Sequence, residues 1–329
     1  MKILVFGPEQ RFSRYRPAFA DQLDAQLVFL SQYRTPLEAV TANPEAEMIF
    51  ADPLYDIGAD LISLLPRLKL IQSEGVAFHR FDTDAAAQRN IFVCNCKGCN
   101  ADSVAEHTVM LMLMALRFGI TGHQAVRHGR QFEMKEQVMA ADSPELGDCA
   151  VGLVGFGDIA QATARRLAPF GCRLYYYSLH RRSAETEQDF RITYLPLEEL
   201  VSTCQIVSLH CAVNDGTQNL VNEDLLRHVS PGAILVNTAR GELMDNLAVR
   251  QALLDGRLSC LAADTLFPEP TPADHPLVDL PPEIRDRAIY SPHLGGNTGG
   301  AFRRAHRMIW NNARLILEGS RPEHIVNGL

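Results

Sequence analysis

The sequence predicts an α/β fold built as two doubly wound parallel-sheet domains. Short runs rich in Val, Ile and Leu alternate with amphipathic stretches along the chain. That order is the signature of parallel strands covered by helices on both faces. The alternation falls into two series, separated by a long apolar segment. With 329 residues the chain also exceeds what one ordinary core organises, so two domains are expected.

The first series offers KILVF (2–6), LVFL (27–30), MIF (48–50), KLI (69–71) and IFV (91–93), with helical stretches such as PLEAVTA and DIGADLISLLP between them. A long helix is expected next, starting near Asp102 and running to about Gly119. Asn100 or Asp102 can cap it, and Glu106 lies in its early turns. Its middle, VMLMLMAL (109–116), is apolar on all sides, which predicts burial between domains or subunits rather than a cofactor role for the methionines. The second series offers VGLVG (151–155), RLYYY (173–177), QIVSL (205–209), AILVN (233–237), LAAD (261–264) and AIYS (288–291). A last helix, from about Thr298 to Glu318, is expected to return to the first domain. The domains are then 1–99 with 297–329, and 100–296.

Hydrophobic residues make up 47% of the chain and charged residues 21%, a soluble globular composition. A formal charge of −8 and a pI near 5.8 argue against nucleic-acid or anionic-membrane partners. MKILVFGPEQ reads as a strand rather than a signal peptide. VMLMLMAL is well short of the ~20 residues that span a bilayer. A cytoplasmic protein is the expectation. Of eight cysteines, expected to be reduced thiols, three stand in CNCKGC: Cys94, Cys96 and Cys99. A metal there would need a fourth ligand, which no further CxxC pair or close histidine supplies, so none is expected. Lys97 in the same loop is expected to face water.

VGLVGFGDIA carries Gly155-x-Gly157-x-x-Ala160 between a strand and a helix. Gly155 permits a tight turn, Gly157 lets a pyrophosphate approach the backbone, and a small third residue lets helix and strand pack closely. The N–H groups of Asp158 and Ile159 then face the anion. The next strand ends in YYYSLHRRS, with Ser178 twenty-three residues past Gly155. An acid at that point suits the ribose of NAD, whereas arginine suits the 2′-phosphate of NADP. Here Ser178, Arg181 and Arg182 stand without an acid, so NADP is expected in preference to NAD.

Three further stretches end strands of the second series: VNTARGELMD (236–245), AADTLFPEP (262–270) and SPHLGGNTGG (291–300). Ligands of open α/β sheets bind beyond the carboxyl ends of the strands. Arg240, Glu269 and His293 are thus the candidate reactive side chains.

Taken with SEGVAFHRFD (73–82) and NADSVAEHT (100–108), these motifs resemble the D-isomer-specific 2-hydroxyacid dehydrogenase family over essentially the whole chain. The resemblance implies a Rossmann-type nucleotide domain and a flavodoxin-like substrate domain. It implies Arg240 as anchor of a 2-oxo acid, His293 as the acid that protonates the carbonyl oxygen, and Glu269 as its partner. It also implies Asp264 near the nicotinamide, Thr238, Ala239 and Gly295 in the cofactor lining, and a homodimer. Gly75, Val76 and Ala77 match the loop whose N–H groups hold the substrate carboxylate. Ala77 stands where glycine is usual, and His79 where aspartate is frequent. Closure of the cleft between the domains on the ligand is a further expectation. Formate-oxidising relatives carry glutamine where Glu269 stands, which argues against formate. A phosphite-type dehydrogenase and a nucleotide-sensing corepressor or scaffold are the alternatives.

Overall fold

The computed structural model describes residues 1–329. In chain order the main elements are β1 (Lys2–Phe6), α1 (Glu9–Tyr15), β2 (Gln26–Phe29), α2 (Pro36–Thr41), β3 (Met48–Ala51), α3 (Ala59–Ser63), β4 (Leu70–Ser73), α4 (Thr83–Gln88) and β5 (Phe92–Cys94). There follow α5 (Ala101–Leu116), α6 (Gly119–Arg127), α7 (Gln131–Ala140), β6 (Ala150–Val154), α8 (Asp158–Leu167), β7 (Arg173–Tyr177), α9 (Ala184–Phe190), β8 (Ile192–Tyr194), α10 (Leu197–Thr203) and β9 (Ile206–Leu209). The chain closes with α11 (Glu223–Leu226), β10 (Ala233–Asn237), α12 (Asn246–Leu254), β11 (Leu258–Ala263), β12 (Ala288–Tyr290) and α13 (Gly299–Leu317). It divides into two compact units, 1–100 with 297–329, and 101–296.

The first unit holds a five-stranded parallel sheet in the order β2-β1-β3-β4-β5, the flavodoxin-like order. Alternate residues supply its two cores. Leu4, Phe6, Ile49 and Ile71 pack on one face, and Ile3, Val5, Met48, Phe50 and Leu70 on the other. Trp310 and Ile309 of α13 complete the second core. Thr298 caps that helix by accepting the Ala301 N–H at 3.1 Å.

The second unit holds a seven-stranded parallel sheet, β12-β11-β10-β9-β6-β7-β8. Counted from β6 this is the Rossmann order extended by one strand, and the strand order reverses between β6 and β9. Its faces are covered by Val151, Leu153, Ile206 and Val236 on one side, and Val154, Val207, Leu235 and Leu261 on the other.

The apolar helix α5 departs from expectation in two ways. It ends at Leu116, because Phe118 turns left-handed at φ +52° and α6 starts at Gly119. Its Val109, Leu111, Met112 and Leu116 are buried in their own unit's core with residues of β6, β10 and α8, so much of its apolar surface covers a sheet face. No single helix is long and apolar enough to cross a membrane.

Candidate active site

The second unit's site is built at the carboxyl ends of its central strands. At the end of β6, Gly155 has φ +97°, and a Cβ there would lie 2.8 Å from backbone atoms of His210 and Cys211. Only glycine fits that turn. A Cβ on Gly157, by contrast, would meet only open space, at the N-terminus of the ten-residue α8, which no side chain caps. That gap and the first-turn N–H groups of Asp158 and Ile159 fit an approaching pyrophosphate. Ala160 is fully buried in the core. His210, just past β9, bonds Ser208 Oγ through Nε2 at 3.0 Å, while its buried Nδ1 has no partner. Burial pushes its pKa down to about 4.

At the end of β7 the two arginines separate. Arg181 spends its fork on Glu187, with Nε–Oε1 at 2.8 Å and Nη2–Oε2 at 2.9 Å, and lies over Tyr194. That guanidinium, with the Tyr176 hydroxyl, holds the Glu187 carboxyl at about 2. Arg182 instead donates from Nη2 to the carbonyl oxygen of Phe156, inside the glycine turn, at 2.7 Å. Its backbone N–H donates to Tyr176 Oη at 2.8 Å. Ser178 is half-buried at the strand end.

The turn after β10 is held by Asn237, which is fully buried. Its side chain donates to the Arg240 carbonyl at 2.8 Å and accepts the Ala239 N–H at 3.0 Å. Thr238 shares a hydrogen bond of 2.8 Å with Thr108 of α5. Arg240 is exposed, its guanidinium donating to the Ala239 carbonyl at 2.7 Å. A Cβ on Gly241 would stand 2.2 Å from the Leu266 carbonyl carbon, so this turn packs directly on the chain leading to Glu269.

His293 sits in a left-handed turn, φ +54°. Its N–H donates to the Asp264 carbonyl at 2.9 Å. Nδ1 of its ring lies 3.1 Å from both Glu269 carboxylate oxygens. Both side chains are partly exposed, 44% and 47%.

Sequence reasoning named Asp264 near the nicotinamide but missed His107 and Ser291, which with it support this pair. Asp264 is 3% exposed and accepts from Ser291 Oγ at 2.5 Å and from the Leu294 and Gly295 N–H groups at 2.8 Å each. His107 Nε2 lies 2.7 Å from Ser291 Oγ and 3.3 Å from Asp264 Oδ1. Burial alone would raise this carboxyl, but those four donors outweigh it and hold it well below the usual carboxylate range. His107 and Ser291 stand in NADSVAEHT and SPHLGG, but nothing in the sequence joins residues 184 apart.

In the first unit, the loop after β4 spends its carbonyls on the protein. Gly75 O accepts from the Cys96 N–H at 2.8 Å, Val76 O from Asn95 Nδ2 at 2.8 Å, and Ala77 O from Ser73 Oγ at 2.7 Å. The N–H groups of Val76 and Ala77 have no protein partner, which suits an anion. Beneath the loop, Glu74 is buried between Arg11, whose Nε lies 2.8 Å away, and His306, whose Nε2 lies 2.8 Å away. Lys97 is exposed.

A dinucleotide cradle at a strand-order reversal, with a carboxylate-paired histidine beyond neighbouring strands, defines a nucleotide-dependent oxidoreductase class. Residues 109–295 match the model of the D-isomer specific 2-hydroxyacid dehydrogenase family, NAD binding domain. The chain is 33% identical over 271 residues to a glyoxylate reductase of Thermofilum pendens, covering 82% of this chain and 78% of that one. It is 34% identical over 257 residues to a formate dehydrogenase of Pseudomonas sp. strain 101, covering 77% of this chain and 62% of that one. Its fold superimposes on the apo D-mandelate dehydrogenase of Rhodotorula graminis with a TM-score of 0.85 at 23% identity, covering 99% and 97% of the two chains. The chain belongs to the D-isomer specific 2-hydroxyacid dehydrogenase family and is an NAD(P)-dependent oxidoreductase.

Proposed function

We propose that this protein interconverts a small 2-oxo acid and its D-2-hydroxy acid, and does so as a homodimer in the cytoplasm. The observation that carries the proposal is the His293–Glu269 pair, with Nδ1 3.1 Å from both carboxylate oxygens. Reduction of a 2-oxo acid needs a hydride at the carbonyl carbon and a proton at its oxygen. A bound nicotinamide cofactor supplies the hydride. His293 gives the proton from Nε2, while Glu269 orients the ring through Nδ1 and stabilises its charged form. Arg240 anchors the carboxylate and polarises the carbonyl. In the five-stranded unit, the unpartnered N–H groups of Val76 and Ala77 suit a carboxylate. In the reverse direction His293 accepts the hydroxyl proton.

Formate is disfavoured on the same ground. Its oxidation releases carbon dioxide and a hydride and moves no proton, so a carboxylate-paired histidine would have no proton to carry. Phosphite oxidation and a sensing or scaffold role are the remaining alternatives, and the same assay separates them.

We further propose that NADP is preferred over NAD. Arg182, held on the Phe156 carbonyl at 2.7 Å, is the support for this reading. It sets a guanidinium at the edge of the glycine turn, near the Ser178 end of β7, where a 2′-phosphate is expected. Arg181 gives less support than the sequence suggested, because Glu187 occupies its fork.

The test is turnover of glyoxylate, hydroxypyruvate, pyruvate, phenylpyruvate, formate and phosphite with each cofactor. The reading requires 2-oxo acid reduction with NADPH favoured in kcat/KM. Nucleotide binding without turnover of any of them would favour the sensor.

A further inference from the structure

The cysteine loop is not absorbed by hydride transfer. Cys96-Lys97-Gly98-Cys99 is a turn, closed by the Cys99 N–H donating to the Cys96 carbonyl at 3.1 Å, with Gly98 left-handed at φ +81°. Such a turn brings its first and last Cα atoms within about 7 Å. A disulfide bridges Cα atoms about 4.4–6.8 Å apart.

We propose that Cys96 and Cys99 form a reversible disulfide under peroxide, making this turn an oxidative modification site. Part of the proposal, its effect on substrate binding, rests on the 2-oxo acid reading above.

The two sulfurs are not equivalent. Cys99 keeps 6% of its surface open and Cys96 none, so Cys99 is the one peroxide meets first. The neighbouring Cys96 thiol and the Arg304 guanidinium, whose Nε lies 2.7 Å from the Cys99 carbonyl oxygen, also lower the Cys99 thiol and favour its thiolate. The Cys99 thiolate attacks one peroxide oxygen. An S–O bond forms, the O–O bond breaks, and hydroxide leaves with a proton as water, giving a sulfenic acid. The Cys96 sulfur then attacks that sulfur. The S–S bond forms, the S–O bond breaks, and a second water carries away the Cys96 proton. Two thiols are oxidised and one hydrogen peroxide is reduced to two waters.

The bond would be felt at the neighbouring loop. Cys96 Sγ now donates to the Ser73 carbonyl at 3.3 Å, and its N–H holds the Gly75 carbonyl at 2.8 Å. Asn95, one residue earlier, holds the Val76 carbonyl. A disulfide removes the thiol proton and draws Cys96 Sγ toward Cys99. Residues 75–77 lose one tether at their base.

The experiment treats the full chain with excess hydrogen peroxide, blocks free thiols, and digests with trypsin. Cleavage after Arg89, Lys97 and Arg117 puts the two cysteines on separate peptides, 90–97 and 98–117. The expected result is a linked pair, two mass units below the sum of the two peptides with Cys94 blocked and Cys96 and Cys99 as free thiols, with fragmentation placing the bond at Cys96 and dithiothreitol releasing it. Unlinked peptides, or a bond from Cys94 to Cys99, overturn the proposal. In kinetics, oxidation is expected to raise KM for the 2-oxo acid roughly three- to tenfold, the worth of one neutral hydrogen bond, with kcat little changed and reductant restoring KM. A Cys99→Ala variant is expected to keep its KM in peroxide; the same rise in that variant overturns the coupling. The linked peptides are read by mass alone, so they support the modification site even if no 2-oxo acid is turned over, and that second result overturns the functional reading instead.

Discussion

His293 occupies a backbone conformation that a non-glycine residue rarely adopts, at a cost of about 1 kcal/mol or more. Asp264 sustains it by accepting the N–H groups of the next two residues. His293→Ala is expected to lose ~10²–10⁴-fold in kcat, the usual worth of a positioned acid, with nucleotide affinity unchanged in a fluorescence titration. Arg182→Ala is expected to cost NADPH roughly ten- to a hundredfold in kcat/KM relative to NADH, the scale of a hydrogen bond to a charged group. An unchanged ratio would remove the 2′-phosphate role. The types of these residues were legible in the sequence, but their directions were not. Arg181 and Arg182 are neighbours in one HRRS run, yet Glu187, six residues beyond Arg181, captures only the first. No periodicity encodes that choice.

Among the elements, the support for His293 depends on α5 reaching the carboxyl ends of β11 and β12 through His107. Asp264→Asn removes a charge that four donors hold. It is expected to lower the thermal midpoint and reduce kcat together, whereas Glu269→Gln should reduce kcat and leave the midpoint in place. Calorimetry beside steady-state rates separates the two. His210 gives a pH test. An unfolded histidine takes its proton near 6.5, but His210 refuses it until about 4. As pH falls across that window the unfolded chain gains a proton that the fold excludes, so stability declines from 6.5 to 4 and its His210 component levels off below. His210→Gln should flatten that slope in urea melts. Element order was largely legible because buried parallel strands are near-continuous Val/Ile/Leu runs. β8 escaped notice: three residues following the left-handed Arg191 at the sheet edge give too short a pattern to read. The end of α5 was read about three residues late because Gly119, which looks like its stop signal, instead opens α6 after the left-handed Phe118.

At the scale of the whole molecule, the two sheets divide the labour suggested by their strand orders. The seven-stranded unit carries the glycine cradle and the His293–Glu269 pair, and the five-stranded unit carries the unpartnered N–H groups of Val76 and Ala77. A ligand that binds only the folded state at a hundred times its Kd stabilises that state by about 2.7 kcal/mol. Saturating NADPH should raise the unfolding midpoint correspondingly, and by more than NADH at equal concentration. On the proposed 2-oxo acid reading, Ala77, His79 and irregular loops would set which acid fits, and side-chain identity alone does not give a pocket its shape. The most direct test of the account is the rate of NADPH oxidation with the preferred 2-oxo acid, compared between the native chain and His293→Ala with both saturated in cofactor. Robust turnover in the native chain, falling at least about a hundredfold in the variant, is the expected result. Equal rates in the two proteins would contradict it.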